Sequence, residues 1–402
     1  MRNRVLVTGM GIISAIGSDT RAVLDSLMQR RSGIGKMTLL DSVYRDEIPV
    51  AGIMANNDEL KHMAQPAISG NYTRTSLFGI IAARQSLEQA EPGSLSGGRT
   101  GLISATTVGG MDRSEVFYKS YLSDSNKGRL RDISGHDCGS GTEQIARLLG
   151  ISGFISTINT ACSSSANAII MGARMIRLGL LDRVVAGGTD ALTLFTVNGF
   201  NSLMILDREP CRPFDENRNG LNLGEGSAFI VMESAEVAQQ SGKKILCEIS
   251  GYGNACDAYH QTASSPEGKG AYLSMKQALE SAGLKPDDIS YINAHGTGTK
   301  NNDLSEGIAI ERVFTSGLPA ISSTKAYTGH TLGAAGAIEA VISILALQHH
   351  CVFPNLNFSQ QMNELNFSPV ADLKTGISHS HIMSNSFGFG GNNSTLIISR
   401  YA

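Results

Sequence analysis

Cys162, His295 and His330 are the residues of this chain whose types and settings could do chemistry together. Cys162 follows the apolar run Phe154-Ile155-Ser156-Thr157-Ile158, read as a short buried strand, and the tight turn Asn159-Thr160-Ala161. Ser163-Ser164-Ser165 then opens a helix that buries Ala166, Ile169, Ile170 and Ala173 at helical spacing. A thiol at a strand-to-helix elbow faces the unpaired N–H groups and positive end of that helix. These favour thiolate over thiol and offer an oxyanion site beside it. His295 lies in Asn293-Ala294-His295-Gly296-Thr297-Gly298-Thr299, at the carboxyl end of the strand candidate 291–294, where ligands gather in open α/β sheets. His330 lies in Thr328-Gly329-His330, shortly after Ser322-Ser323-Thr324-Lys325 ends another strand. Glu339 stands inside the otherwise apolar helix 333–349, where a lone carboxylate is costly unless paired. Asn385-Ser386-Phe387-Gly388-Phe389-Gly390-Gly391 reads as a flexible glycine loop whose two aromatics suit a pocket wall or gate. Singly, each has an ordinary explanation: a core Cys, hydrogen-bonded histidines, a surface Lys325, an ion-paired Glu339, core phenylalanines. One elbow Cys with two glycine-flanked histidines near strand ends is the Cys/His pattern of thiol acyl transfer.

The elements that must position these groups alternate. Strand candidates are 5–8, 101–105, 184–187, 228–233, 245–251, 291–294, 320–322 and 395–399; helix candidates are 20–30, 75–91, 142–149, 163–178, 270–282, 303–313 and 333–349. Such alternation predicts an α/β protein with a mainly parallel sheet and helical crossovers. The polar stretch 238–244 divides the chain into an N-terminal half, 1–244, with the Cys, and a C-terminal half, 245–402, with both histidines. The longest irregular stretch is 118–140, polar and charged, which suits a surface excursion or an interface cap.

Bulk composition excludes several classes. The 402 residues are 41% hydrophobic and 17% charged with net charge −3, so no global basic field exists to hold nucleic acid. The six cysteines show no CxxC pair or zinc spacing, and a reduced cytoplasm is the simplest home. Met1-Arg2-Asn3-Arg4 imitates a signal peptide, but 5–16 is broken by Thr8, Gly9 and Gly11 and reads as a first strand with its turn. The apolar run 334–347 carries Glu339 and falls short of the ~20 residues of a membrane span, so it reads as a buried helix. Val7-Thr8-Gly9-Met10-Gly11-Ile12-Ile13-Ser14 imitates a dinucleotide loop, yet Ser14 occupies the third glycine position. His349, His350, His379 and His381 lack a companion ligand set for a metal.

Together these segments resemble the β-ketoacyl-acyl carrier protein synthases, condensing enzymes of the thiolase superfamily, over nearly the whole length. The resemblance runs through VLVTGMGIISAIG at 5–17, TACSSSANA at 160–168, VVAGGTDA at 184–191 and CRPFDENRNGLNLGEG at 211–226. It continues through DAYHQTASSP at 257–266, NAHGTGTKNND at 293–303, STKAYTGHTLGAAGAIEA at 323–340 and SNSFGFGGNN at 384–393. It implies a thiolase fold, two similar βαβαβαββ halves in α-β-α-β-α layers. It implies that Cys162 accepts an acyl chain from acyl carrier protein, and that His295 and His330 hold the malonyl thioester carbonyl during decarboxylation. The N–H groups of Cys162 and Phe389 would form the oxyanion hole, with Phe389 also gating the pocket; Lys325 and Glu339 would hold the histidines in a charged network. No metal or nucleotide cofactor is implied, because the substrates ride on phosphopantetheine. Val108 and Phe200 are candidates for the acyl pocket. Lys127, Arg129, Arg131 and Arg208 are candidates for a basic patch facing the acidic carrier. A homodimer is implied, with a strand near the nucleophile pairing across the dyad; a heterodimer with a related ketosynthase subunit is the variant.

The spellings Cys-Ser-Ser-Ser and His-Gly-Thr-Gly-Thr stand closer to polyketide ketosynthases than to the common fatty-acid elongators. CRPFD at 211–215 and STKAYTGHTLGAAGA at 323–337 fit either, and the first reading is fatty-acid elongation, with a specialised polyketide or aryl polyene pathway as the alternative. A chain-length-factor-type subunit typically lacks the nucleophile that this chain retains.

Overall fold

The computed structural model describes residues 4–65, 70–91, 99–240 and 242–401. Met1 to Asn3 of the signal-like start and Ser241 of the polar divide lie outside the described residues. The first half runs β1 (Val5–Ser14), α1 (Thr20–Met28), α2 (Asn57–Ala64), α3 (Arg74–Ala90), β2 (Thr100–Ala105), α4 (Met111–Ser123), α5 (Cys138–Leu149), β3 (Phe154–Ile158), α6 (Ser164–Arg177), β4 (Arg183–Asp190), α7 (Leu194–Ser202) and β5 (Gly226–Ser234). After α8 (Ala235–Gln240) come β6 (Cys247–Cys256), α9 (Lys269–Ala282), β7 (Ile289–Asn293), α10 (Lys300–Val313), β8 (Ala320–Ser322), α11 (Lys325–Thr328) and α12 (Ala335–His349). A short ribbon of β9 (Cys351–Val352) and β10 (Lys374–Thr375) precedes β11 (His381–Phe387) and β12 (Asn392–Ser399).

Ten strands follow the order β3-β2-β4-β5-β1-β6-β12-β11-β7-β8. Outward from the centre, β1, β5, β4, β2, β3 and β6, β12, β11, β7, β8 repeat one arrangement. Each has two antiparallel pairings and then two parallel ones. The ladders meet at Leu6–Glu248 and Val7–Cys247. Each half reads βαβαβαββ, as the sequence implied: β1-α3-β2-α5-β3-α6-β4-β5 and β6-α9-β7-α10-β8-α12-β11-β12.

Layering follows from strands buried on both faces. In β5, Ala228, Ile230 and Met232 join the central apolar cluster, while Phe229 and Val231 join the outer one beneath α3 and α5. A third cluster lies beneath α9 and α10. Helices α6 and α12 pack on each other and on strands of both halves. The result is α-β-α-β-α.

The glycines that imitate a dinucleotide loop serve helix packing. A Cβ on Gly9 or Gly11 would fall 2.1 Å from a carbonyl oxygen of α3, that of Ser86 or Ala82. The second half repeats the device. A Cβ on Gly251 or Gly253 of β6 would fall 2.4 or 2.0 Å from the Ala278 or Ser274 carbonyl of α9.

Five expectations need correction. The sheet is not mainly parallel: five of its nine strand pairings are antiparallel, because the last strand of each half runs antiparallel to both its neighbours and the halves join antiparallel. β3 is a sheet edge, paired only with β2 among the described residues, and its Ile155 is 40% exposed; it is not a buried strand. The stretch 118–140 is only about half irregular, since α4 reaches Ser123, one 3₁₀ turn spans Leu130–Asp132 and α5 starts at Cys138. The glycine loop near residue 385 begins later, because Asn385, Ser386 and Phe387 are strand residues of β11 paired with β12. Helices α2, α4, α7, α8 and α11 had no sequence counterpart; α4 buries no residue, so it lacks the apolar stripe that marks a core helix.

Candidate active site

The two central helices bring the site together at their N-terminal ends. Before α6, Ala161 adopts a left-handed conformation (φ 53°) and turns the chain so that Cys162 points into a cleft. Before α12, Leu332 does the same (φ 53°), two residues after His330. Non-glycine residues rarely hold such a conformation, and both sit beside candidate chemistry. The helix starts approach closely because they carry small residues: a Cβ on Gly336 would fall 2.8 Å from the Ala166 nitrogen, and Ser165 Oγ accepts the Ala337 N–H at 2.9 Å.

The cleft, about 440 Å³, is lined by Cys162, His295, His330, Phe387, Phe389 and Phe200 together with the segments 203–205, 219–221, 262–264 and 299–302. Burial pushes the Cys162 thiol up to about 11, although the N–H groups of Phe389 and of Cys162 itself and the charge of Lys325 pull the other way. The resting group is therefore a thiol, which corrects the thiolate expected from the helix dipole alone. The same two N–H groups are those proposed from the sequence as an oxyanion hole, and both act on the sulfur to hold its value down.

His295 and His330 are both buried, and their rings meet edge to face with centroids 5.4 Å apart. Phe387 flanks His295 at 5.9 Å. His330 Nδ1 accepts the Leu332 N–H at 3.0 Å, so its neutral form carries the proton on Nε2. Lys325 Nζ lies 3.2 Å from His295 Nδ1 and donates to the His295 carbonyl at 2.6 Å. It also donates to Glu339 Oε1 from within the protein core. Burial first, then the Lys325 charge, holds His330 down to about 3 and His295 well below its ordinary range. Burial lifts Glu339 to about 7 despite Lys325 beside it.

Several buried carboxylates that sequence reading passed over fix this frame. Glu306 on α10 accepts the His295 and Gly296 N–H groups at 2.9 and 2.8 Å, and Asp303 accepts the Thr297 N–H at 2.9 Å. Asp190, at the end of β4, binds Thr107 Oγ1 at 2.6 Å and the Gly333 N–H at 2.7 Å, joining the loop after β2 to the start of α12. The available signal was an acidic residue in an otherwise apolar or glycine-rich context, as in VVAGGTD.

Phe200 lies on the cleft wall, stacked on Phe389 with centroids 5.8 Å apart. Val108 does not line that wall. It is buried with Leu192, Val197, Leu221 and Leu332 in a cluster against which Phe200 packs, so side chains rather than open space surround it. Met37, Val50 and Leu192 of this cluster also line a second cavity, about 1140 Å³, which reaches none of Cys162, His295 or His330. Lys127, Arg129, Arg131 and Arg208 are exposed but lie off the cleft wall; Arg129 is 3.6 Å from Asp132, and Arg208 pairs with Glu47. Among the described residues, the lysine or arginine on the wall is Lys300 alone.

His379 bonds the Cys351 carbonyl and Ser290, and His381 bonds Ser399, so both serve structural contacts. Helix α12 is buried from Ala335 to Leu347 inside the protein, as expected of a core helix.

Comparison with known proteins agrees with this geometry. Residues 2–238 match the beta-ketoacyl synthase N-terminal domain and 246–359 the C-terminal domain. The 3-oxoacyl-[acyl-carrier-protein] synthase 2 of Staphylococcus aureus (strain COL) is 33% identical, over 99% of this chain and 98% of its own. The solved ishigamide ketosynthase/chain length factor superposes with a TM-score of 0.94 at 30% identity, covering all of both chains. A ketosynthase of Xenorhabdus doucetiae, solved in complex with its chain length factor, gives 0.86 at 31% identity, over 99% of this chain and 98% of that one.

Proposed function

The chain belongs to the β-ketoacyl synthase family, with the thiolase fold, and we propose on that premise that it is a 3-oxoacyl-acyl carrier protein synthase. The observation that carries this reading is a buried thiol facing two backbone N–H groups and sharing its cleft with two neutral histidines. In the first half-reaction the Cys162 sulfur attacks an acyl thioester delivered by acyl carrier protein. The acyl–sulfur bond to the carrier breaks, acyl-Cys162 forms, and the thiol proton ends on the carrier's phosphopantetheine. The N–H groups of Cys162 and Phe389 receive the charge on the carbonyl oxygen.

In the second half-reaction malonyl carrier protein loses carbon dioxide. The resulting enolate places its charge on the thioester oxygen, where the Nε2–H groups of His295 and His330 serve as donors. Its carbon attacks acyl-Cys162, a carbon–carbon bond replaces the carbon–sulfur bond, and the Cys162 thiolate takes up a proton. Lys325 and Glu339 act from behind: the lysine occupies His295 Nδ1, which leaves Nε2–H toward the cleft. The scheme calls on no metal or nucleotide.

Fatty-acid elongation is the first reading, supported by the Staphylococcus aureus relative over its full length. A specialised polyketide or aryl polyene pathway is the second, supported by the high superposition on the ishigamide ketosynthase/chain length factor and on the Xenorhabdus doucetiae ketosynthase solved with its chain length factor. A homodimer is proposed through the edge strand β3. The exposed Ile155 on that strand supports an apolar contact there, and a related subunit is the other occupant. Free cysteines throughout the described chain accord with a cytoplasmic setting.

Intact-mass spectrometry tests the reading. The enzyme is offered saturated, polyenoyl and aryl acyl carrier proteins, with and without malonyl carrier protein. An acyl adduct on Cys162 and a 3-oxo product longer by one malonyl-derived unit are expected. No adduct with any donor sinks the proposal for the chain acting alone.

A further inference from the structure

The two N–H groups that face Cys162 come from opposite halves of the molecule. One belongs to the elbow between β3 and α6, the other to the turn between β11 and β12. An oxyanion site works only when both donors converge on one oxygen at hydrogen-bonding distance. Asn392 spans the two sides. Its carbonyl accepts the Gly388 N–H at 2.8 Å and closes the turn that holds Phe389. Its Oδ1 crosses to the other half, where it lies 2.8 Å from Ser163 Oγ and accepts from Asn167 Nδ2 at 2.9 Å. It also accepts from Asn254 Nδ2 of β6 at 2.9 Å. Ser163 directly follows Cys162, and Asn167 lies one turn into α6.

We propose that Asn392 is the positioning residue that sets the register of the oxyanion site, by tying the Phe389 turn to the Cys162 elbow. The proposal rests on reading Cys162 as the acyl acceptor. Three donors meet on the single Oδ1, so both of its lone pairs are engaged. Each donor also has another acceptor in reach. Ser163 Oγ has the Thr160 carbonyl at 2.8 Å, Asn167 Nδ2 has Thr160 Oγ1 at 2.8 Å, and Asn254 Nδ2 has Asn167 Oδ1 at 3.0 Å. Removing Oδ1 strands none of them, so the link between the halves is lost while the fold remains. The chemical effect is selective. Acylation and condensation put charge on the oxygen held by Cys162 and Phe389, whereas malonyl decarboxylation puts it near His295 and His330.

The test compares Asn392→Ala with Asn392→Asp, which keeps an acceptor oxygen in place. Cys162 acylation is timed by rapid-quench mass spectrometry. Malonyl carrier protein decarboxylation is timed in the Cys162→Ala background, with and without Asn392→Ala. We expect the acylation rate at saturation to fall about 10- to 100-fold in Asn392→Ala, with KM held within about twofold. Asn392→Asp should regain most of that rate, and decarboxylation should stay within about twofold. Acylation by Asn392→Ala at the wild-type rate overturns the proposal and leaves the reading of the site standing. Equal losses of acylation and decarboxylation also overturn it, because they mark a general structural fault. Wild-type protein that fails to acylate refutes the site reading itself, before any variant is compared, and the proposal falls with it.

Discussion

The ring of His295 meets that of His330 edge to face, at 88° and with centroids 5.4 Å apart. Each ring is occupied from behind at Nδ1, one by Lys325 and the other by the Leu332 N–H. Both stay neutral, because burial and the neighbouring lysine disfavour a second proton on either. What the pair offers the cleft is two neutral N–H donors at one place, suited to an oxygen that gains charge during reaction and poorly suited to removing a proton.

This arrangement separates the two half-reactions. His295→Ala and His330→Ala should each lower malonyl decarboxylation by about 10²- to 10³-fold, the usual effect of removing one donor at developing charge. Acylation of Cys162 should persist in both. Stopped-flow release of carbon dioxide and intact mass of the acyl-enzyme measure the two steps, and acylation lost in parallel with decarboxylation would contradict the division.

Cys162→Ala should show the converse. Condensation and the acyl adduct disappear, while decarboxylation remains measurable, since its donors are the histidines and not the sulfur. Wild-type condensation by this variant would remove Cys162 from the mechanism.

Much of this was legible in the sequence for a physical reason: nucleophile, histidines, lysine and gate lie in short glycine-marked segments at the ends of strands, where local pattern and chemistry coincide. Gly9, Gly11, Gly251 and Gly253 carried a further message, the matching strand–helix contacts of the two halves, but packing distance is invisible without coordinates. Glu306, Asp303 and Asn392 were passed over because their partners lie in other segments or are backbone groups, which leave no residue-type signature. The exposed edge of β3 was misread because Phe154–Ile158 is apolar, and apolar residues mark interfaces as well as cores.

Stability should depend on pH through the same groups, with opposing signs. His330 has its folded value near 3 and an ordinary value near 6.5, so between these the unfolded chain binds the extra proton. Its contribution is complete above pH about 6.5 and is lost as the pH falls through that window. Glu339 is raised to about 7, so the folded state binds the extra proton above the ordinary carboxyl value, and its contribution is lost as pH rises toward 7. Urea midpoints measured from pH 5 to 8 should therefore lose part of their acid-side fall in His330→Asn and part of their neutral-side fall in Glu339→Gln. Profiles superimposable on the wild type would contradict these assignments.

The Lys325–Glu339 pair predicts a second stability result. Lys325→Met leaves a buried carboxylate without its cation, and breaking such a pair from one side costs about 3–5 kcal/mol. Adding Glu339→Gln should recover a large part of that loss, because the stranded charge goes with it. Denaturant titration of the single and double variants closes the cycle. A double variant no more stable than Lys325→Met would show that packing of the lysine stem, not the carboxylate, sets the cost.

The outer edge of β3, unpaired among the described residues, sets the last prediction. It pairs with β2 on one side and presents Ile155 on the segment that runs on to Cys162. A strand edge unpaired among the described residues, with an exposed apolar side chain, is a template for a second chain. Ile155→Lys would place a charge in such a contact, so sedimentation should show wild-type dimer giving way to monomer. Acylation should decline along with dimerisation if the partner steadies the elbow carrying Cys162. Wild-type protein that sediments as a monomer would sink the homodimer and turn the search to a related subunit, with restored acylation on mixing as the outcome to look for.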